Sequence, residues 1–96
     1  MSVAKYQIFL KTVACGSFTA AAREMNFTQS GVSHAIGSLE EELGVPLLIR
    51  SHGGVTPTAD GRELMPYFEK MCAMQHQLEQ RAADLRGLET GLVKVA

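Results

Sequence analysis

The sequence has no tryptophan, only three prolines and two cysteines, and no long apolar run. A helix that spans a bilayer needs about 20 consecutive apolar residues, and no signal peptide precedes the first predicted helix. We therefore expect a cytoplasmic protein without membrane contact. The two cysteines, Cys15 and Cys72, lack the spacing of a disulfide framework, so we expect free thiols.

The chain also lacks an excess of positive charge, since 9 Lys and Arg oppose 10 Asp and Glu for a net charge of −1. Domains that bind nucleic acid through charge alone are usually strongly basic. Any contact with DNA must therefore come from local placement of side chains rather than from a positive field over the whole domain.

Features of an enzyme are missing as well. The 96 residues contain no nucleophile–base set, no glycine-rich phosphate loop and no carboxylate pair suited to a pocket. Cys72 and His76 are four residues apart, a spacing that can hold one metal ion from a single helix face. The competing interpretation is a thiol packed beside an apolar helix face, and we expect no metal or other cofactor in this chain.

Residues 18–43 follow the pattern of two short helices joined by a tight turn. Ser17 or Thr19 can cap the first helix, and Asn26 suits its left-handed end. Thr28 can cap the second helix, and Gly44 ends it. The second helix has an apolar face made of Val32, Ile36, Leu39 and Leu43. Its opposite face is small or polar, with Ser30, Ser33, His34 and Gly37, and we predict that this face enters the major groove of DNA.

The flanking segments complete a small domain. Before residue 18, an apolar stripe at helical spacing predicts a helix over residues 4–14, with Tyr6, Phe9, Leu10 and Val13 facing the core. We expect Phe27, in the turn, to fill the core as well. After residue 44, two short strands around a turn at 52–54 predict a β-hairpin. We expect the run Glu40, Glu41 and Glu42 to be a solvated surface.

From Thr58, a helix cap, the pattern changes to apolar positions alternately four and three residues apart, the period of a coiled coil. The positions of this heptad seam are Leu64, Phe68, Met71, Gln75, Leu78, Ala82 and Leu85. We predict a dimerisation helix over residues 59–88. Residues 89–96 would then form a hinge and the first strand of a further domain.

The segment GSFTAAAREMNFTQSGVSHAIGSLEEELGVPLLIRS, followed by TPTADG, closely resembles the N-terminal domain of LysR-type bacterial transcriptional regulators. The resemblance implies a mainly α fold: a winged helix-turn-helix over residues 1–58, with the helix-turn-helix at about 18–37 and the wing at about 47–57, followed by the linker helix. It also implies a homodimer through antiparallel linker helices that binds an interrupted inverted repeat of double-stranded DNA. A small-molecule effector would belong only to a C-terminal domain, and a longer protein could form higher oligomers.

The resemblance also implies which residues contact DNA. The predicted base-reading residues are Gln29, Ser30, Ser33 and His34. The predicted phosphate and wing contacts are Thr28, Arg50 and His52. Gln29 is the strongest single candidate, since an amide can bind adenine N6 and N7 together. The family usually has proline at the position of Ser30 and arginine at that of His34, so weaker non-specific affinity is expected.

A second function is compatible with the same pattern. The long helix could dock a protein partner, and the chain would then be a helical interaction module without specific DNA binding. Such a module would not need the small, polar face of the second helix of the pair, so replacing Gln29 and Ser33 distinguishes the two functions.

Overall fold

A computed structural model of the chain describes the backbone of residues 3–95 and the side chains of residues 3–87. The elements, in order, are α1 (Ala4–Cys15), α2 (Phe18–Met25), α3 (Gln29–Leu43), β1 (Leu48–Ser51), β2 (Gly54–Pro57) and α4 (Ala59–Val95). Three helices, an antiparallel two-stranded hairpin and a long final helix form a mainly α winged helix-turn-helix, which confirms the predicted fold class.

Local capping chemistry sets the bounds of α2 and α3. Ser17 rather than Thr19 caps α2, because its hydroxyl oxygen accepts a hydrogen bond from the Ala20 N–H at 3.2 Å. Asn26 ends α2 in the left-handed conformation with φ of 59°, and Thr28 caps α3 as predicted. The short turn between these caps holds the two helices in the helix-turn-helix arrangement.

The core consists of two apolar clusters. The first lies between α1, α2, α3 and the wing, and its buried members are Ile8, Phe18, Ala22, Val32, Ile36 and Val55. The second joins α1, α3, the start of the wing and α4 through Tyr6, Phe9, Leu39, Leu47 and Phe68. Thr12 is the buried polar residue of α1, and its hydroxyl donates to the Ile8 carbonyl at 2.7 Å.

Two apolar residues near the ends of the helix-turn-helix pattern lie at the surface. Phe27 is 48% exposed and does not belong to the core cluster that contains Ala22 and Val32. Leu43 is 39% exposed, because it is the last residue of α3 and lies one turn beyond the buried Leu39. The prediction that Phe27 fills the core is wrong, and the predicted apolar face of α3 is buried only as far as Leu39.

The acidic end of α3 is only partly solvated, contrary to prediction. The Glu40 carboxylate accepts hydrogen bonds from the backbone N–H groups of Leu47 at 2.7 Å and Leu48 at 3.3 Å. Glu42 pairs with Lys5 of α1. Leu47 is fully buried, and its backbone N–H is held by Glu40. Glu40 therefore fixes the position of the chain where it passes from α3 into the wing.

The wing is a four-residue pair in which Leu48 lies opposite Pro57 and Ser51 lies opposite Gly54. A two-residue turn, His52 and Gly53, joins the strands. The Val55 N–H donates to the Gly16 carbonyl at 3.0 Å, so the wing is tied to the turn between α1 and α2. Gly54 has φ of 128° at this close approach.

Thr58 joins the wing to α4. Its hydroxyl oxygen accepts from the Gly61 N–H at 2.9 Å, and its hydroxyl donates to the Pro46 carbonyl at 2.7 Å. The predicted cap is therefore confirmed, and it also fixes the preceding loop.

The first part of the heptad seam packs inside its own chain. Phe68 is only 3% exposed, with its ring centroid 4.9 Å from that of Tyr6 and 5.4 Å from that of Phe9. Leu64 and Met71 are partly buried against the same cluster. The prediction of a dimer contact is therefore wrong for Phe68, because α1 already covers it.

The second part of the seam differs. Leu78 is 66% and Leu85 55% exposed, and Met74, which the heptad pattern omitted, is 63% exposed. Gln75 is half-buried, and its carboxamide oxygen accepts from the Gln7 side chain of α1 at 3.4 Å. Ala82 is half-buried too. An apolar face free of intramolecular cover thus begins near Met74.

The bounds of α4 run past the predicted end of the linker helix at residue 88, so the backbone gives no support to the predicted strand at 92–95. The side chains of the predicted hinge and strand, residues 89–96, lie outside the described residues.

Within residues 3–87 both cysteines are free thiols, and no three metal-binding side chains come together. Burial raises the pKa of the Cys72 thiol. A hydrogen bond to Glu24 at 3.1 Å raises the pKa of Cys15 and lowers that of Glu24. In the part of the chain that was searched for membrane spans, each helix is too short or too polar to cross a bilayer.

Candidate nucleic-acid interface

The polar face of α3 points away from the core. Val32, Ile36 and Leu39 are buried on one side, which turns the opposite side outward. Of the four predicted base-reading residues, Gln29, Ser30 and His34 are exposed and Ser33 is half-buried. Gln29 and Ser33 are four residues apart and therefore neighbours on one helix face.

The start of α3 is suited to a phosphate group. The Thr28 hydroxyl oxygen accepts from the Gly31 N–H at 3.0 Å and lies 3.4 Å from the Ser30 hydroxyl. The first turn of a helix carries partial positive charge from its unpaired N–H groups. Thr28 and Ser30 therefore lie together at the end of α3 where an anion is favoured.

A residue of α2 contacts the strongest base-reading candidate. The Thr19 hydroxyl donates to the Gln29 carboxamide oxygen at 3.2 Å. The sequence pattern indicated Thr19 only as an alternative cap for α2. Its actual partner is ten residues away in the sequence, and local spacing carries no signal for such a contact.

Arg50 of the wing contacts α3. The Arg50 guanidinium donates to the Ser33 hydroxyl oxygen at 2.7 Å, and its central carbon lies 4.5 Å from the centroid of the Phe18 ring. The ring fixes the plane of the guanidinium by a cation–π contact. His52 lies exposed in the wing turn. Within residues 3–87, its side chain forms no hydrogen bond with α3.

These contacts surround one cleft between the start of α2, the start of α3 and the wing. Its lining residues are Ser17, Phe18, Thr19, Gln29, Arg50, Ser51, Gly54 and Val55. The structure thus brings Gln29, Ser33 and Arg50 to one surface. Thr28 and Ser30 lie at its edge, and His34 extends it along α3.

Positive charge is scarce around this surface. Lys5 bonds to Ser38 and Glu42, and Lys11 pairs with Glu24 at 3.4 Å. The guanidinium of Arg50, by contrast, faces a cleft without a carboxylate among its lining residues. Among the residues that line this cleft, Arg50 is the one cation.

Known proteins with similar sequences are bacterial transcriptional regulators with a helix-turn-helix. The family model described as bacterial regulatory helix-turn-helix protein, lysR family, matches residues 3–62. The HTH-type transcriptional regulator YvbU of Bacillus subtilis (strain 168) is 35% identical over 96 residues, which are 99% of this chain and 33% of that protein. The chain thus spans about a third of the length of the curated relatives that it matches.

Protein–DNA complexes are among the solved structures that this chain resembles. The complex of the BenM DNA-binding domain with catB site 1 DNA has a TM-score of 0.82 and 30% identity, covering 88% of this chain and 96% of that chain. The complex of the CbnR DNA-binding domain with DNA has a TM-score of 0.81 and 26% identity, covering 88% of this chain and 98% of that chain. Almost the whole of each of these two DNA-binding domains superposes on this chain.

Proposed function

Because the chain belongs to the lysR family of bacterial regulatory helix-turn-helix proteins, we propose that it binds double-stranded DNA with sequence specificity and regulates transcription. In this proposal α3 enters the major groove and the wing contacts the backbone or minor groove. The observation that carries it is the exposed polar face of α3, flanked by the guanidinium of Arg50. DNA complexes of BenM and CbnR with the same fold support it.

We further propose a homodimer in which α4 pairs antiparallel with its copy, so that two α3 helices meet an interrupted inverted repeat. Support comes from the apolar face that begins near Met74 and continues through Leu78 to Leu85. The protein would act in the cytoplasm without a cofactor or catalytic activity. An effector, or a higher oligomer, would involve a further domain, as expected for proteins three times as long as this chain.

Replacing Gln29 and Ser33 together with alanine is expected to weaken binding to a selected DNA site by about 10- to 100-fold. Both side chains lie on the outward face of α3, and one good bidentate base contact, such as a glutamine can make, is worth about 1–3 kcal/mol. Fluorescence anisotropy with labelled duplex measures the change. Gln77→Ala, an exposed glutamine of α4, is the matched control and should bind like the wild type.

The double alanine variant and the wild type together distinguish the two functions predicted from the sequence, a DNA-binding domain and a helical interaction module. A helical interaction module would show no specific DNA binding in the wild type, and the double alanine variant would change nothing. Retention of full affinity by the double variant would contradict the assignment of α3 as the reading helix.

Leu78→Asp is expected to give a monomer and to weaken DNA binding on the order of 100-fold, because two linked binding units support each other. A charge at this 66% exposed apolar residue opposes pairing without entering the core. Sedimentation velocity and anisotropy measure the two effects, with Gln77→Asp as control. The substitution leaves the buried Phe68 in place, so the core is intact in the monomer. A dimer that survives Leu78→Asp would exclude this face.

A further inference from the structure

The two central residues of the reading face receive hydrogen bonds from outside α3. The carboxamide oxygen of Gln29 accepts from Thr19 of α2, and the hydroxyl oxygen of Ser33 accepts from Arg50 of the wing. In both cases the atom engaged is an acceptor. The surrounding structure therefore holds the acceptors of this face toward the protein.

The groups left for DNA are hydrogen-bond donors. The Gln29 amide nitrogen has two N–H groups, and within residues 3–87 neither has an acceptor. The Ser33 hydroxyl keeps its own proton. Arg50 uses one of the five N–H donors of a guanidinium on Ser33, and stacking on Phe18 keeps the others in a fixed plane. Gln29, Ser33 and Arg50 thus form one donor-rich surface.

The edges of the bases differ in what they offer to such a surface. In the major groove guanine presents two acceptors, O6 and N7. Adenine presents one acceptor, N7, and one donor, the N6 amino group. A glutamine that reads adenine must turn both its oxygen and its nitrogen to the base. Thr19 opposes that orientation because it draws the Gln29 oxygen toward α2.

We propose that this chain selects guanine, rather than adenine, at the base pair read by Gln29, and that Thr19 is the positioning residue that sets this choice. The inference rests on the proposed function, since it requires that α3 reads DNA. It differs from the expectation based on Gln29 alone, which is adenine. It also gives the interface a way to read guanine although His34 stands where the family usually has arginine.

The experiment is selection of bound sequences from a random duplex pool by the 96-residue chain. The variants are Gln29→Ala, Thr19→Val and Thr19→Ser. The position read by Gln29 is the one whose preference disappears in Gln29→Ala. There the wild type is expected to favour guanine over adenine by about tenfold, because guanine offers the acceptor O6 where adenine offers the N6 donor. Thr19→Val keeps the shape of the side chain but removes the donor, and the preference should shift toward adenine. Thr19→Ser restores the hydroxyl and should restore guanine.

Each outcome either supports or overturns the role of Thr19. Adenine at the Gln29-dependent position of the wild type, or an unchanged guanine preference in Thr19→Val, overturns the role of Thr19 and leaves the proposed function intact. A uniform loss of affinity in both Thr19 variants would indicate a merely structural residue and would also overturn it. A wild-type chain that enriches no sequence would refute the proposed function and this inference together.

Discussion

Phe68→Ala is expected to lower the free energy of unfolding by about 3–5 kcal/mol, the usual cost of removing a buried aromatic ring. The ring contacts Tyr6 and Phe9 in a cluster that joins α1 to α4, and aromatic pairs of this kind add about 0.5–1.5 kcal/mol beyond the area they bury. Urea denaturation followed by circular dichroism measures the change. Tyr67→Ala, whose ring is exposed, is the matched control and should cost less than about 1 kcal/mol.

The measurement is best made in the Leu78→Asp background, so that dimerisation does not contribute to the apparent stability. In this monomeric background, replacing a residue that only contacts the partner would not change the free energy of unfolding. Replacing a core residue would lower it by the full amount. If Phe68→Ala leaves no folded protein, Phe68→Leu is expected to cost less and to show a measurable transition. A monomer whose stability is indifferent to both substitutions would contradict the core role of Phe68.

Gly54→Ala is expected to destabilise the domain by about 3 kcal/mol. Gly54 has φ of 128°, a region essentially restricted to glycine, and a methyl group there would overlap the carbonyl oxygen of Gly16. The wing would have to move, which breaks the hydrogen bond from Val55 to that carbonyl. Thermal denaturation should show the loss.

The neighbouring glycine provides the control for this substitution. At Gly53 a methyl group would meet no atom within 4 Å, so Gly53→Ala should change stability by less than about 0.5 kcal/mol. Because the wing also carries Arg50, Gly54→Ala is expected to weaken DNA binding more than Gly53→Ala. Equal stability of the two variants would mean that the wing is not held against the turn between α1 and α2.

Residues whose partners lie within one helical turn were predictable from the sequence. Thr28 and Thr58 cap their helices through the N–H group three residues ahead, and Asn26 and Gly44 end helices through their own left-handed backbone. These contacts depend on spacing that can be read directly along the chain. The bounds of α2 and α3 followed from them.

Residues whose partners lie on another element were not predictable. A heptad seam has the same period whether it faces a second copy or α1 of its own chain, so the pattern could not assign Phe68 to the core. Glu40 binds the backbone seven and eight residues later, where the rule for exposed acidic runs predicts only solvent. The partners of Gln29 and Ser33 likewise come from α2 and the wing.

The burial of Phe68 has a mechanical consequence. It anchors α4 to the domain that carries α3, while Leu85 lies 17 residues further along the same helix, about 25 Å away at 1.5 Å per residue. In the proposed dimer α4 therefore acts as a lever. A tilt of about 10° would move its far end by about 4 Å, more than the 3.4 Å step between base pairs. Small changes in how two such levers cross would change which spacing of half-sites both reading helices can reach at once.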